Sequence, residues 1–320
     1  MGITRRFFSR WQNWLGLIIV TAFVLTAILA PILSPKDPEG KPPLIQSHLR
    51  VPQPPAPGYP LGTLPDRTSV YDALIWGTRD ALKFGVGVTT IIFLIGTLIG
   101  TLAAFLGGRA NAFLMGTTDG FLAFPVIAGV VFFTQLNNIM LINLINTTEF
   151  AGFPLDSVEA LGIAELVAPL RTPFMRLNPT ALAFCAFLWV PYARVMNASV
   201  MRLKRVEYVL AAKVSGVKNF RVMLRHLIPN AIAPVLVMAA MDVGALVVLQ
   251  TTFSYIGLGD STPWATALLS GRDWIFSPKG IIEYWWVFVP ITVALILFGI
   301  GWNLLGDGLI EAMNPRSVKN

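Results

Sequence analysis

Six apolar segments, each close to the length that a helix needs to cross a bilayer, constrain this sequence more than any other feature. A helix needs about 20 consecutive apolar residues to cross a hydrocarbon core of about 30 Å. The third segment is the weakest, because it needs residues 115–120 to reach full length and contains Asp119 and Pro125. The segments cover residues 14–33, 81–106, 121–136, 179–200, 231–249 and 286–305. We therefore predict six transmembrane helices.

The composition agrees with an integral membrane protein. Apolar residues make up 55% of the chain and charged residues 13%, and the mean hydropathy is +0.66. An average soluble domain contains about 25% charged residues. The alternating ten-residue pattern of a membrane β-barrel strand does not occur in the sequence. The predicted fold class is all-α integral membrane, since helices are the remaining spanning element.

Lysine and arginine are concentrated on one side of the predicted helices. With the N-terminus in the cytosol, the cytosolic pieces are 1–12, 107–118, 194–230 and 307–320. They carry 14 of the 24 Lys and Arg residues and 3 of the 17 acidic residues. Because positively charged loops stay in the cytosol, both chain ends are predicted to be cytosolic. The net charge of +7 therefore indicates topology and not nucleic-acid binding.

Residues that often carry catalysis or metal binding are few and far apart. Cys185 is the single cysteine and lies in the fourth segment, which excludes an intramolecular disulfide. His48 and His226 fall on opposite sides of the membrane in this topology and cannot share a metal. Arg5 and Arg6 resemble the start of a twin-arginine or cleaved export signal. The apolar run that follows is long and lacks a clear cleavage site, so a basic flank that orients the first helix is favoured.

The chain divides into two predicted parts. Residues 1–80 contain the basic N-terminal flank, the first transmembrane helix and a proline-rich external excursion. Residues 81–320 form a core of five transmembrane helices, with an external insertion at about 137–178 and a basic cytosolic loop at about 201–230.

That cytosolic loop has the sequence of a short helical hairpin. Glu207 places a carboxylate at the start of a helix, where the helix dipole favours negative charge. Ala211 and Ala212 are strong helix formers with little bulk, so another protein can approach closely. On spacing alone, an ordinary amphipathic interfacial loop is the alternative.

The second half of the loop contains signals for a helix end and a new helix. Gly216 suits a helix end with positive φ, and residues 219–226 can form a second helix. Pro229 fits the first turn of the fifth span.

Several motifs resemble, in order, those of ABC importer permeases. The loop follows E-x-x-x-A-A-x-x-x-G. It is preceded by W-V-P-Y-A-R at 189–194 and followed by F-S-Y-I-G-L-G at 253–259 and P-W at 263–264. The C-terminal part contains N-L-L-G-D-G-L at 303–309 and N-P-R at 314–316. Over nearly its whole length, the chain resembles the C-type permease subunit of the dipeptide, oligopeptide and nickel importers.

The resemblance implies a type I importer permease fold with a cytosolic coupling helix, and a non-catalytic role. The residues implied in coupling are Glu207, Tyr208, Ala211, Ala212, Lys213, Gly216 and Pro229. The chain would bind no cofactor, since it lacks a phosphate-binding G-x-x-x-x-G-K-[ST] loop; ATP and Mg²⁺ would be bound by partner subunits. The implied partners are a second permease subunit, two ATPase subunits, an external substrate-binding protein and membrane lipid, without nucleic acid. The implied location is the inner membrane of a prokaryote.

Polar residues inside the spans are candidates for the translocation path. Asp242 lies about 18 Å along the fifth helix from Asn230, and an ionised carboxylate at that depth costs about 2.5–3.5 kcal/mol on insertion scales. It either contacts substrate or protons, or makes a buried hydrogen bond to a neighbouring helix. Asp119 has the same two interpretations, with a structural role favoured by its position near the cytosolic end. Gln250 and Thr251 are candidates for the external mouth.

Two other classes of function are disfavoured. A secondary transporter is expected to show inverted repeats and paired broken helices, and a membrane hydrolase needs a nucleophile with a base or H-E-x-x-H; neither pattern is found.

Gly96 and Gly100 form a G-x-x-x-G that predicts close helix packing. Residues 61–67 depart from the family pattern on the external side. The motifs leave the substrate open among peptides, oligosaccharides, nickel chelates and other small solutes.

Overall fold

The computed structural model of the chain is almost entirely helical. It describes residues 7–36 except Ser9, 51–146, 149–150, 153–154, 178–259, 261–275 and 283–313. The helices are α1 (Trp11–Leu33), α2 (Val70–Leu106), α3 (Gly108–Ala123), α4 (Val126–Asn146), α5 (Pro179–Phe187), α6 (Val190–Leu203), α7 (Glu207–Val214), α8 (Asn219–Val222), α9 (Ile228–Ala231), α10 (Ala233–Tyr255), α11 (Pro263–Gly271) and α12 (Trp285–Met313). A π-helical turn covers Met223–Leu227, and a 3₁₀ turn covers Arg272–Trp274. A two-residue antiparallel hairpin pairs β1 (Glu149–Phe150) with β2 (Phe153–Pro154).

Five elements in the described part of the chain are long and apolar enough to span a membrane. They are α1, α2, α5 with α6, α10 and α12. α3 and α4 make a sixth candidate only as a pair, which is bent by 78°. The third predicted span, the weakest of the six in the sequence, is therefore a bent pair of helices that is broken beside Pro125. Pro125 lacks a backbone donor and disfavours the α region for the residue before it, and Phe124 is accordingly extended, with φ −83° and ψ 126°.

Other helix ends also differ from the apolar segments. α2 begins at Val70, where Ser69 Oγ accepts a hydrogen bond from the backbone N–H of Tyr71 at 3.2 Å. The predicted division at residue 80 thus falls inside a helix, and the division into two parts stays a prediction. α6 continues past Arg194 to Leu203, so Arg194 lies within a helix, as the apolar segment 179–200 predicted. The external insertion predicted at 137–178 is described only in part.

The packing of α2 on α6 organises the interior. A Cβ on Gly96 would overlap Tyr192 Cβ, and a Cβ on Gly100 would overlap the backbone oxygen of Ala193. The two helices can approach this closely only because both positions are glycines, which have a hydrogen atom in place of a side chain. The predicted G-x-x-x-G packing is confirmed.

α1 packs antiparallel against α12 and is fixed to it at the inner end. A Cβ on Gly16 would lie 2.7 Å from Leu304 Cβ, and the rings of Phe23 and Phe298 meet edge to face at 5.1 Å. At the N-terminal end of α1, Arg10 Nη1 pairs with Glu311 Oε1 at 2.6 Å. The first span is therefore part of the same bundle as the last.

We expect Gly100→Ala to lower the thermal stability of the detergent-purified protein. A methyl group there would collide with the backbone of Ala193, and overpacking of this kind costs about 1–3 kcal/mol. Gly87→Ala is the matched control, because Gly87 lies on the same helix with no atom within 4 Å of a Cβ position. The melting temperature can be measured from the loss of soluble protein on heating, followed by size-exclusion chromatography. Equal melting temperatures for the two variants would contradict the packing role of Gly100.

Candidate functional site

The basic loop after α6 folds into a short helix that ends in a Schellman motif. α7 begins at Glu207, as predicted. At its other end, the backbone N–H of Val217 donates to the carbonyl of Ala212 at 3.2 Å, and Gly216 has φ +78°. A Cβ on Gly216 would meet no atom within 4 Å, so the requirement for glycine comes from the backbone conformation. The predicted glycine helix end is confirmed.

The return from α7 to the membrane is less regular than predicted. The single helix expected over 219–226 is instead α8 followed by the π-helical turn, in which the N–H of Ile228 donates to the carbonyl of Met223. Pro229 cannot donate to the carbonyl four residues before it, which favours a change in the hydrogen-bonding pattern there. Pro229 lies in α9, and the fifth span begins afterwards at Ala233. Its predicted place in the first turn of that span is wrong.

The hairpin made by α7, α8 and the π-helical turn is anchored in the bundle. Val209, Val222 and Leu227 are buried in the same apolar cluster as the inward-facing residues of α6. Lys204 Nζ donates to the carbonyl oxygens of Ala104 at 2.7 Å and Phe105 at 3.2 Å. A lysine is favourable at the C-terminal end of a helix dipole. These contacts join the base of the hairpin to the inner ends of α2 and α6.

Within the described residues, the outer surface of the hairpin exposes large apolar side chains beside the charged Lys218, Arg221 and Arg225. Val214 is 89% exposed and Phe220 is 63% exposed, and Tyr208, Leu210 and Leu224 are exposed as well. Large apolar side chains exposed near one another on a protein surface are typical of interaction sites. The arrangement is a hairpin whose base is buried in the bundle and whose tip is exposed.

The predicted coupling residues lie along this hairpin. Glu207, Tyr208, Ala211 and Gly216 are exposed, Ala212 is half-buried against the core, Lys213 lies in α7, and Pro229 is exposed in α9. Their role in coupling stays a prediction.

Asp242 is bonded to a neighbouring helix. Tyr192 Oη of α6 donates to Asp242 Oδ2 of α10 at 2.6 Å. The hydrogen bond matches the structural interpretation of this aspartate. Tyr192 belongs to the W-V-P-Y-A-R motif, whose role the sequence did not reveal.

Asp119 also has a partner from that motif. Its Oδ1 accepts from Arg194 Nη2 in an ion pair between α3 and α6. α3 begins at Gly108, so Asp119 lies about 16 Å along the helix. Its position relative to the cytosolic end of the span stays a prediction. Gln250 and Thr251 are buried, and Thr251 Oγ1 donates to the carbonyl of Val247 in its own helix. Whether these four residues line a path stays a prediction.

Sequence reasoning missed three residues that organise this region. Tyr192 and Arg194 belong to the W-V-P-Y-A-R motif and Lys204 to the basic loop, but their partners are 50, 75 and 100 residues away. In the described part of the chain, no group of three His, Cys, Asp or Glu residues is placed to hold a metal ion.

Comparison with known proteins assigns the family. Residues 96–319 match the binding-protein-dependent transport system inner membrane component, and residues 2–55 match the N-terminal transmembrane domain of oligopeptide transport permease C. The chain belongs to the first of these families. The protein is therefore an inner-membrane permease subunit of an ABC importer, which is a non-catalytic component that works with an ATPase and a substrate-binding protein.

Three relatives align with nearly the whole length of this chain. A dipeptide transport system permease protein of Alkalihalophilus pseudofirmus is 27% identical over 94% of this chain and 84% of its own length. An oligopeptide transport system permease protein of Bacillus subtilis is 27% identical over 98% and 88%. A nickel transport system permease protein of Escherichia coli is 25% identical over 97% and 96%. The resemblance seen in the sequence is confirmed.

We expect Gly216→Val to loosen the end of α7. A β-branched residue at φ +78° is strained by about 1–2 kcal/mol, whereas Gly216→Asn keeps the conformation accessible. Limited proteolysis of the purified permease should cut the hairpin faster in the Val variant than in the Asn variant. Equal rates would contradict the role assigned to this helix end.

Proposed function

We propose that the permease pairs with a second permease subunit and docks on one of two ATPase subunits through the hairpin 207–230. The uncovered apolar tip carries this proposal, because Val214 and Phe220 expose large apolar surface on a segment whose base is buried in the bundle. Burying a valine or phenylalanine side chain contributes about 1.5–3 kcal/mol. ATP and Mg²⁺ would then be bound by the ATPase subunits, and this chain would contribute no ligand to the nucleotide.

The transported solute is proposed to be a peptide or a related small solute. Relatives that cover most of this chain are named as dipeptide and oligopeptide permeases, and the nickel permease at similar identity keeps a metal chelate as the competing class. An external binding protein would select the solute. The permease would supply half of the path, with both chain ends and the hairpin on the cytosolic side.

Site-directed crosslinking tests the docking. In a chain with Cys185→Ser, Val214→Cys should react with an impermeant thiol reagent only from the cytosolic side and should crosslink to the ATPase. Reaction from the external side, or crosslinking to the external binding protein, would contradict the orientation. Uptake by the isolated chain in liposomes without ATPase would contradict the ATP-driven mechanism.

We expect Val214→Asp to weaken association with the ATPase by about tenfold or more, since it replaces a buried apolar contact of about 1.5–3 kcal/mol with a charge. Ile310→Asp is the matched control, because Ile310 is an exposed apolar residue near the end of α12, outside the hairpin. The amount of ATPase copurifying with each variant measures the effect. Equal loss in both variants would show that general destabilisation is responsible.

A further inference from the structure

The N-terminal half of α3 makes little apolar contact with the bundle. Within the described chain, no residue from 108 to 117 is buried, and Phe113 is 70% exposed. The C-terminal half is better packed, because the ring of Phe121 lies 5.5 Å from that of Trp189. Apolar packing therefore fixes the N-terminal half of α3 less firmly than it fixes α2 or α6.

The turn that joins α2 to α3 is made of two glycines. Gly107 has φ +67° and Gly108 has φ +52°, in the left-handed region that glycine adopts without steric cost. A Cβ on Gly108 would meet no atom within 4 Å. Because glycine has the widest conformational freedom of any residue, this turn restricts the angle between α2 and α3 only weakly. The angle has to be fixed by contacts from outside the turn.

Two side chains of α6 supply such contacts. Asn197 Nδ2 donates to Asn111 Oδ1, in the first turn of α3, at 2.7 Å. Lys204 Nζ donates to two carbonyl oxygens in the last turn of α2 at 2.7 Å and 3.2 Å. Asn197 and Lys204 are seven residues apart, which is about two helical turns. Both therefore project from the same side of α6, toward the turn between α2 and α3.

Lys204 lies where the hairpin, α6 and this turn meet. Its Nζ would be 3.8 Å from a Cβ placed on Gly107. It is the residue that follows α6, and the hairpin begins three residues later at Glu207. One side chain thus joins the start of the hairpin to the end of α2.

We propose that Asn197 and Lys204 are positioning residues of the transport cycle, which make the N-terminal half of α3 follow the hairpin when the ATPase displaces it. Lys204 holds the turn through the last carbonyls of α2, and Asn197 holds α3 through Asn111. Close packing at Gly96 and Gly100 already joins α6 to α2. The two polar contacts extend the moving body from α2 to α3. This proposal rests on the docking of the hairpin proposed above.

Distances measured by pulsed electron paramagnetic resonance in the full importer complex test this role. In a Cys185→Ser chain, spin labels at Val214→Cys in α7 and Phe113→Cys in α3 should keep one distance in the nucleotide-free and vanadate-trapped states. In the double variant Asn197→Ala with Lys204→Met, that distance should shift between the two states. A fixed distance in the double variant would show that packing and backbone alone hold α3, and would overturn the proposal. A shift already present in the parent chain would overturn it as well.

Controls separate this role from a general loss of structure. Labels at Val214→Cys and Leu98→Cys in α2 should keep their distance in the double variant, because the glycine contact between α2 and α6 is unchanged. A shift of this pair too would show that the hairpin itself had loosened, and would contradict a specific role toward α3. Lys204→Arg keeps a charged donor and should behave like the parent chain. Arg205→Met removes the exposed basic residue beside Lys204 and should also leave the distances unchanged; a shift there would assign the effect to net charge instead.

Crosslinking of Val214→Cys to the ATPase distinguishes failure of this inference from failure of the docking. The double variant should crosslink as the parent chain does, because the tip of the hairpin is unchanged. Absence of the crosslink in the parent chain would overturn the docking, and this inference with it. Crosslinks in both chains with unchanged distances would leave the docking in place and overturn only the role of Asn197 and Lys204. If the double variant does not assemble, Lys204→Met alone should show a smaller shift of the same distance, and a fixed distance there would overturn the proposal.

Discussion

The close contact between α2 and α6 is the interaction on which the other features depend. Without side chains at Gly96 and Gly100, the backbone of α6 lies directly against α2. In lipid there is no strong hydrophobic force between helices, so close van der Waals packing of this kind is a main source of helix association. α6 then presents Tyr192 to α10, Arg194 to α3 and Lys204 to the end of α2. One packed helix thus positions both intramembrane polar pairs and the start of the coupling hairpin.

This arrangement provides a route by which movement of the hairpin would reach the membrane helices. The tip of the hairpin is free, while Val209, Val222 and Leu227 at its base belong to the same buried cluster as α6. A packed interior deforms little, so displacement of the tip by the ATPase is expected to move α6 and α2 with it. Because α6 also carries Arg194, the same movement would reach the ion pair with Asp119. The hairpin and the ion pair are therefore connected through one helix.

Local signals in the sequence predicted much of the fold, whereas contacts between distant residues were not predictable. The lengths of the apolar segments predicted the spans, and Gly216 predicted the end of α7. Both signals are local, because each depends only on residues that are neighbours in the sequence. Apolarity did not predict that α2 begins at Val70, since its first turns extend beyond the apolar segment. Pro125 was visible as a weak point, but the sequence did not predict the angle of 78° at which α3 and α4 meet. The partners of Asp119 and Asp242 come from 75 and 50 residues away, and one sequence contains no local signal for such pairs.

A distance measurement within the permease tests the central claim that the hairpin and the bundle move as one body. Spin labels at Val214→Cys in α7 and Leu98→Cys in α2, in a Cys185→Ser chain within the full complex, report this distance by pulsed electron paramagnetic resonance. The distance should be the same in the nucleotide-free and vanadate-trapped states, while the distance from Val214 to a label on the second permease changes. A change between Val214 and Leu98 of similar size to the change between subunits would show that the hairpin flexes independently, and would contradict the account.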